Sequence, residues 1–144
     1  MRLLTEAVVS YCFRDLLPKK RTINLDISIQ NVRKTGAQAY AESWIEDRKR
    51  LNAIEIDNQP SNLYEYVRTL CHEFVHIKQF TLGELKDMTW KGVDHSNTAY
   101  CRQPWEKEAF AMEHALAKRF LKEELNLTLK AAKAINARGY KYFT

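Results

Sequence analysis

Between Ser61, which suits a helix N-cap, and Gly83, which suits the residue beyond a C-cap, the chain runs for about twenty residues without proline or glycine: NLYEYVRTLCHEFVHIKQFTL. An α-helix is the expectation, and each residue then advances about 100° around its axis. With His72 at zero, His76 falls at about 40°, Gln79 at about −20° and Glu73 at about 100°, whereas Leu63, Val67, Leu70, Phe74 and Ile77 gather between roughly 140° and 220°. The apolar stripe has to lie on a core while the two imidazoles face some other element. Any fold for this sequence must satisfy both demands.

The segments around this helix supply the core. MRLLTEAVVSYCFRDLL breaks its apolar positions with Glu6 and Arg14 at helical spacing, so it reads as an amphipathic helix of the fold and not as a signal peptide. TINLDISIQ sets Ile23, Leu25, Ile27 and Ile29 against polar neighbours, as a strand with one buried face does. AQAYAESWIE reads as a second strand, joined through a turn around Lys34-Thr35-Gly36, although its alanines also permit helix. LNAIEIDNQ, with Ile54 and Ile56, reads as a third. The short connections make an antiparallel meander the simplest pairing. Leu85 to Gln103 loses its periodicity and predicts a long loop with one short strand at Met88 to Lys91. Pro104 then opens a strong helix, PWEKEAFAMEHALAKRFLKEEL, and a last basic helix, LTLKAAKAINARG, follows Asn126. The sum is an α+β fold, one domain over residues 1–144: an N-terminal helix, a small three-stranded sheet packed against the histidine-bearing helix, and C-terminal helices.

Composition narrows the setting. Apolar residues make up 45% of the chain, with only four glycines and three prolines, which excludes a disordered chain. No stretch approaches the length of an apolar membrane span, so no membrane association is expected. Cys12, Cys71 and Cys101 form no close pair in sequence and their odd count leaves a thiol free, which fits a reducing cytoplasm. The net charge of +5 is uneven: residues 1–113 carry 16 basic and 16 acidic side chains, and residues 114–144 carry seven and two. A solvated helix face accounts for the basic end, with a patch for nucleic acid or an acidic partner as the alternative.

Two histidines one turn apart can direct their Nε2 atoms at one zinc ion, and the glutamate between them is displaced enough to escape ligation yet reach a water beside the metal. Glu73 would then act as general base on that water in the hydrolysis of an amide or similar bond. With four histidines and twelve glutamates in 144 residues, chance supplies this pattern about 0.01 times per chain. A third protein ligand is needed. Position 79 is Gln and position 82 is Leu, which excludes the longer metzincin pattern. Two candidates remain: Glu106, in the first turn of the PWEKEAF helix, and His95, in the loop KGVDHSNTAY. Tyr100, Arg102, His95 and His114 are each chemically able to stabilise an oxyanion.

HEFVHIKQF, GEL and PWEKEAFAMEH together resemble the small gluzincin-type zinc metallopeptidases, including compact phage and bacterial minigluzincin-like forms and the ImmA- and IrrE-like metallopeptidase domains. The resemblance covers roughly Leu63 to Leu116. It implies a zincin-like fold and a hydrolase that cuts a protein or peptide substrate, with His72, His76 and Glu106 as zinc ligands and Glu73 as catalytic base. Glu108 and Ala109 match the second-helix pattern, whereas Phe110 stands where that family often has Asp or Asn to orient a ligand histidine; Glu113, seven residues after Glu106 on the same face, is the expected replacement. A histidine third ligand at about the position of His95 is similar instead to SprT-like proteases of nucleic-acid-associated proteins, but DHSN lacks the glycines and phenylalanine of that pattern. The other alternative is a zincin-like scaffold with weak or absent catalysis that serves as a binding or regulatory module, its basic C-terminal helix meeting nucleic acid or a partner protein.

Overall fold

The expected central helix is α2, Leu63–Thr81, in a computed structural model that describes residues 1–32 and 35–139. Its N-cap is Asn62 and not Ser61: the Asn62 side chain accepts the Glu65 N–H at 2.9 Å, satisfying one of the donors that every helix start leaves open. At the other end Gly83 takes a φ of +73°, and the N–H groups of Gly83 and Glu84 return to the carbonyls of Phe80 and Gln79 at 3.1 and 2.9 Å. Leu63, Val67, Leu70, Phe74 and Ile77 are all fully buried, so the apolar stripe lies where the helical spacing put it.

The sheet departs from expectation. Its strands are β1 (Leu25–Gln30), β2 (Ala39–Glu46) and β3 (Lys49–Asp57), in the order β1-β3-β2, with β3 antiparallel to β2 and parallel to β1. The expected antiparallel meander is therefore corrected to a mixed sheet. Asp47 and Arg48, with φ of 50° and 65°, close β2 and β3 in a tight turn that suits the strand twist. β1 then pairs with the remaining edge of β3, which sets Ile27 and Ile29 beside Ile54 and Ile56. Of β2, only Ala39 and Ala41 join that apolar face, and their small side chains leave room for α2 to lie against the strand. Lys34, within the expected turn between β1 and β2, lies outside the described residues.

One core joins this face to α1 (Arg2–Leu16), α2 and α3 (Pro104–Leu125), with Leu4, Val8, Phe74, Leu116, Phe120 and Leu121 all at its centre. Inside it Thr5 Oγ1 and Tyr66 Oη share a hydrogen bond of 2.6 Å, and Cys12 and Cys71, distant in sequence, bring their Sγ atoms to 3.7 Å. The segment after α2 is more ordered than a loop. β4 (Leu85–Lys86), β5 (Thr89–Trp90) and β6 (Val93–Asp94) form a second small sheet, and a 3-10 turn covers Tyr100–Arg102. β5 falls inside the expected strand. Its neighbours are two-residue strands, too short to leave a period in the sequence. The last helix, α4, is only Leu129–Ala134, because Ile135 turns extended and its carbonyl accepts the Leu63 N–H at 2.8 Å, closing the start of α2. No helix among the described residues is long and apolar enough to cross a membrane.

Because Phe74 sits at the contact of α2 with the rest of the core, Phe74→Ala is expected to cost about 3–5 kcal/mol. The measurement is the urea midpoint, which falls while the dependence on urea concentration stays the same.

Candidate metal centre

The face of α2 opposite its apolar stripe meets the start of α3, and Pro104 at the head of α3 puts Glu106 in that helix's first turn. There the Glu106 carboxylate stands between the imidazoles: Oε1 is 2.6 Å from His76 Nε2 and Oε2 is 3.3 Å from His72 Nε2. One ligand atom from each of His72, His76 and Glu106 lies within 4.8 Å of the other two, so the group could hold a metal ion. Donors around a tetrahedral zinc stand roughly 3.3 Å apart, by the usual bond lengths. The Glu106 oxygen must therefore withdraw from His76 by less than an ångström to admit an ion.

Both outer imidazole nitrogens are engaged. His72 Nδ1 lies 2.9 Å from Glu113 Oε2. His76 Nδ1 lies 2.8 Å from Gln79 Oε1, and the orientation of that amide is fixed because Gln79 Nε2 donates to the Trp105 carbonyl at 2.9 Å and to Glu108 Oε1 at 3.2 Å. A carboxylate and an amide oxygen only accept, so each Nδ1 carries the proton and each Nε2 is left to face Glu106. Toward an anion, Nε2 must hold a second proton or a cation. That explains the electrostatics: burial alone pulls the His72 imidazole down, but hydrogen bonds to Glu106 and Glu113 outweigh it and carry the group up to about 9. His76 is raised in the same way, burial again being outweighed by Glu106. Glu106 itself is opposed by burial yet held far below the usual carboxylate range by the two imidazoles and by Tyr100, whose hydroxyl donates to Oε2 at 2.8 Å.

Glu73 differs from its neighbours. It is buried, its carboxyl is pushed up chiefly by that burial, and among the described residues it has no hydrogen-bond partner. It lines an open cleft of about 340 Å³ with His72, Gln38, Ala39, Tyr100 and Phe110. Phe110 packs its ring against that of His72, with centroids 4.7 Å apart.

Of the residues singled out from sequence, His72, His76, Glu106, Glu73 and Glu113 all meet here. His95 does not join the group: its Nδ1 is 3.0 Å from Thr98 Oγ1 and its ring edge meets Trp105. Among the residues considered for an oxyanion, Tyr100 touches Glu106, while His114 bonds Tyr64 at 2.6 Å. Two contributors were not assigned from sequence. Arg68 pairs with Glu65 at 2.7 Å and with Glu113 at 3.0 Å, and Gln79 holds His76. The helical arithmetic contained the signal, since Arg68 falls at about −40° and Gln79 at about −20°, both on the histidine side. Comparison of the chain with protein-family models, with curated proteins and with solved structures returns no match.

Metal uptake has to expel the second proton from both imidazoles, at His72 Nε2 and at His76 Nε2. Apparent affinity for a divalent ion is therefore expected to rise at least tenfold per pH unit from neutrality toward the His72 value of about 9, above which the His72 proton no longer contributes. Titration calorimetry in buffers of different ionisation enthalpy counts the protons released. Gln79→Leu frees His76 Nδ1 and is expected to weaken the metal about 10- to 100-fold, measured by competition with a chelating dye.

Proposed function

We propose that this chain is a zinc-dependent peptide hydrolase with a zincin-like fold, as the resemblance to gluzincin-type metallopeptidases implies. The observation that carries the reading is a two-imidazole and one-carboxylate donor group whose His72 lines the same cleft as a buried carboxyl, Glu73, that has no other task. The donor set fits zinc: two nitrogens and one oxygen from protein leave a position for water or substrate. Zinc held there supplies Lewis acidity, which brings deprotonation of water into the neutral range.

The protein's own groups do the rest. Glu73, raised by burial, is basic enough to take a proton from the attacking water and then hand it to the departing amine nitrogen. Tyr100 donates its hydroxyl to Glu106 from an exposed position at the cleft; swung from Glu106 to the substrate, the same hydroxyl stabilises the carbonyl oxygen as charge develops on it. β2 is a sheet edge beside the cleft. Gln38 bonds Asp57 of β3 through its main chain, so by the antiparallel alternation Ala39, Ala41 and Ser43 turn their N–H and C=O groups outward. An extended peptide can pair with that edge, and its carbonyls then pass in front of Glu73.

Zinc content of the purified protein is expected to fall to background in Glu106→Ala and to stay unchanged in His95→Ala; full zinc in Glu106→Ala would sink the ligand assignment. Glu73→Gln should keep its metal and lose about 10²- to 10⁴-fold in peptide cleavage. Tyr100→Phe is expected to lower kcat about 10²-fold with little change in KM.

A further inference from the structure

Beyond the metal cleft, β2 borders a second and larger groove of about 920 Å³. Its walls are Ala41 to Ile45 on one side and Leu85 to Met88 on the other, with Phe80 of α2 between them. Three large apolar side chains stand open on it: Ile45 is 59% exposed, Trp44 41% and Met88 38%. The charges at its rim cancel, Glu42 and Asp87 against Arg50 and Lys86, and Arg50 is engaged by Ser43 Oγ at 2.7 Å. An apolar occupant is favoured over a charged one.

We propose that this groove binds an apolar side chain of an extended substrate peptide, on the N-terminal side of the bond that is cut. The inference rests on the hydrolase reading and specifies its substrate. Continuity identifies the occupant. Gln38 and Ala39 line the metal cleft and Ala41 to Ile45 line the groove, so one strand edge with outward main-chain groups joins the two. Two rulers give the separation. Along β2, Ala39 to Ser43 spans about 13 Å, at 3.3 Å per residue. Along α2, Glu73 in the cleft and Phe80 in the groove are about 10 Å apart, at 1.5 Å per residue. A peptide in strand conformation covers that distance in roughly three to four residues. Antiparallel pairing is the more stable choice at a sheet edge, and β2 runs from the metal toward the groove, so the peptide runs from the groove toward the metal. The groove residue is then roughly three or four positions before the cleaved bond.

The test uses zinc-loaded Glu73→Gln protein, which holds peptides without cutting them, and fluorescently labelled twelve-residue peptides that carry Leu or Ser at one scanned position. Fluorescence anisotropy is expected to show about tenfold tighter binding for Leu at a single position. In Ile45→Lys and in Met88→Lys, both at exposed sites that leave the core intact, the ratio of Leu to Ser binding should fall to about one. That pattern supports the groove whether or not the wild-type protein cleaves the peptide, so failure of the hydrolase reading is separately visible as absence of cleavage. Equal binding of Leu and Ser peptides at every position, or a preference that survives both substitutions, overturns the proposal. Where the wild-type protein cleaves, mass spectrometry locates the bond, and a preferred Leu on its C-terminal side overturns the orientation.

Discussion

Two imidazoles, each fixed through Nδ1 to an acceptor that can only accept, are the constraint around which the rest of the structure is arranged. Fixing that proton decides the other nitrogen: each Nε2 faces the Glu106 carboxylate and needs positive charge between them. The charges of the pocket follow. Glu73, Glu106 and Glu113 bring up to three negative charges and Arg68 brings one positive charge. Two protons on the imidazoles, or one divalent cation, make up the difference. A metal ion thus replaces two protons with little change in net buried charge, and the protein avoids the cost of burying unpaired carboxylates in either state.

The contacts that hold the imidazoles also assemble the fold. Gln79 touches His76 with its oxygen and the Trp105 carbonyl with its nitrogen, so the residue that orients one ligand also sets the position of the first turn of α3, where Glu106 sits. Arg68 binds Glu65 on its own helix and Glu113 on α3, which carries the orientation of His72 back to the packing of the two helices. Lys78 extends the network at the far end, reaching Glu84 at 2.8 Å and Glu108 at 2.9 Å. Polar contacts run the length of one α2 face while the opposite face is dry. A local shift in either helix would disturb both the geometry of the donor group and core packing.

What could be read in the sequence was what periodicity encodes. α2, with a glycine past its end and a stripe at helical spacing, was legible in extent and facing, α3 was legible in extent between its proline and Asn126, and the places of His72, His76, Glu106 and Glu113 on these helices were legible too. The sheet was legible as strands but not as neighbours. Alternation tells which face of β1 is apolar and says nothing of whether β2 or β3 lies beside it; the choice depends on matching Ile27 and Ile29 to Ile54 and Ile56 across a long separation. The turn at Asp47 and Arg48 was hidden because it lacks the glycine or asparagine that usually marks positive φ. Gln79 shows a different limit: its position on the helix was plain, but its role depends on a carbonyl of another helix.

Phe110 and Glu113 divide the surroundings of His72 between them. Four residues separate Glu106 from Phe110 and three more lead to Glu113, so all three lie on one side of α3. A carboxylate at 110 would compete with Glu113 for His72 Nδ1 and would add another negative charge to a pocket that already needs two protons or a divalent cation to balance it. With phenylalanine there, the ring supports His72 edge to face and leaves hydrogen bonding to Glu113, which shares the Arg68 guanidinium with Glu65. Phe110 also gives the cleft an apolar wall near Glu73. Burial raises the proton affinity of the Glu73 carboxyl, and a raised proton affinity is what the role proposed for it, a general base at neutral pH, requires.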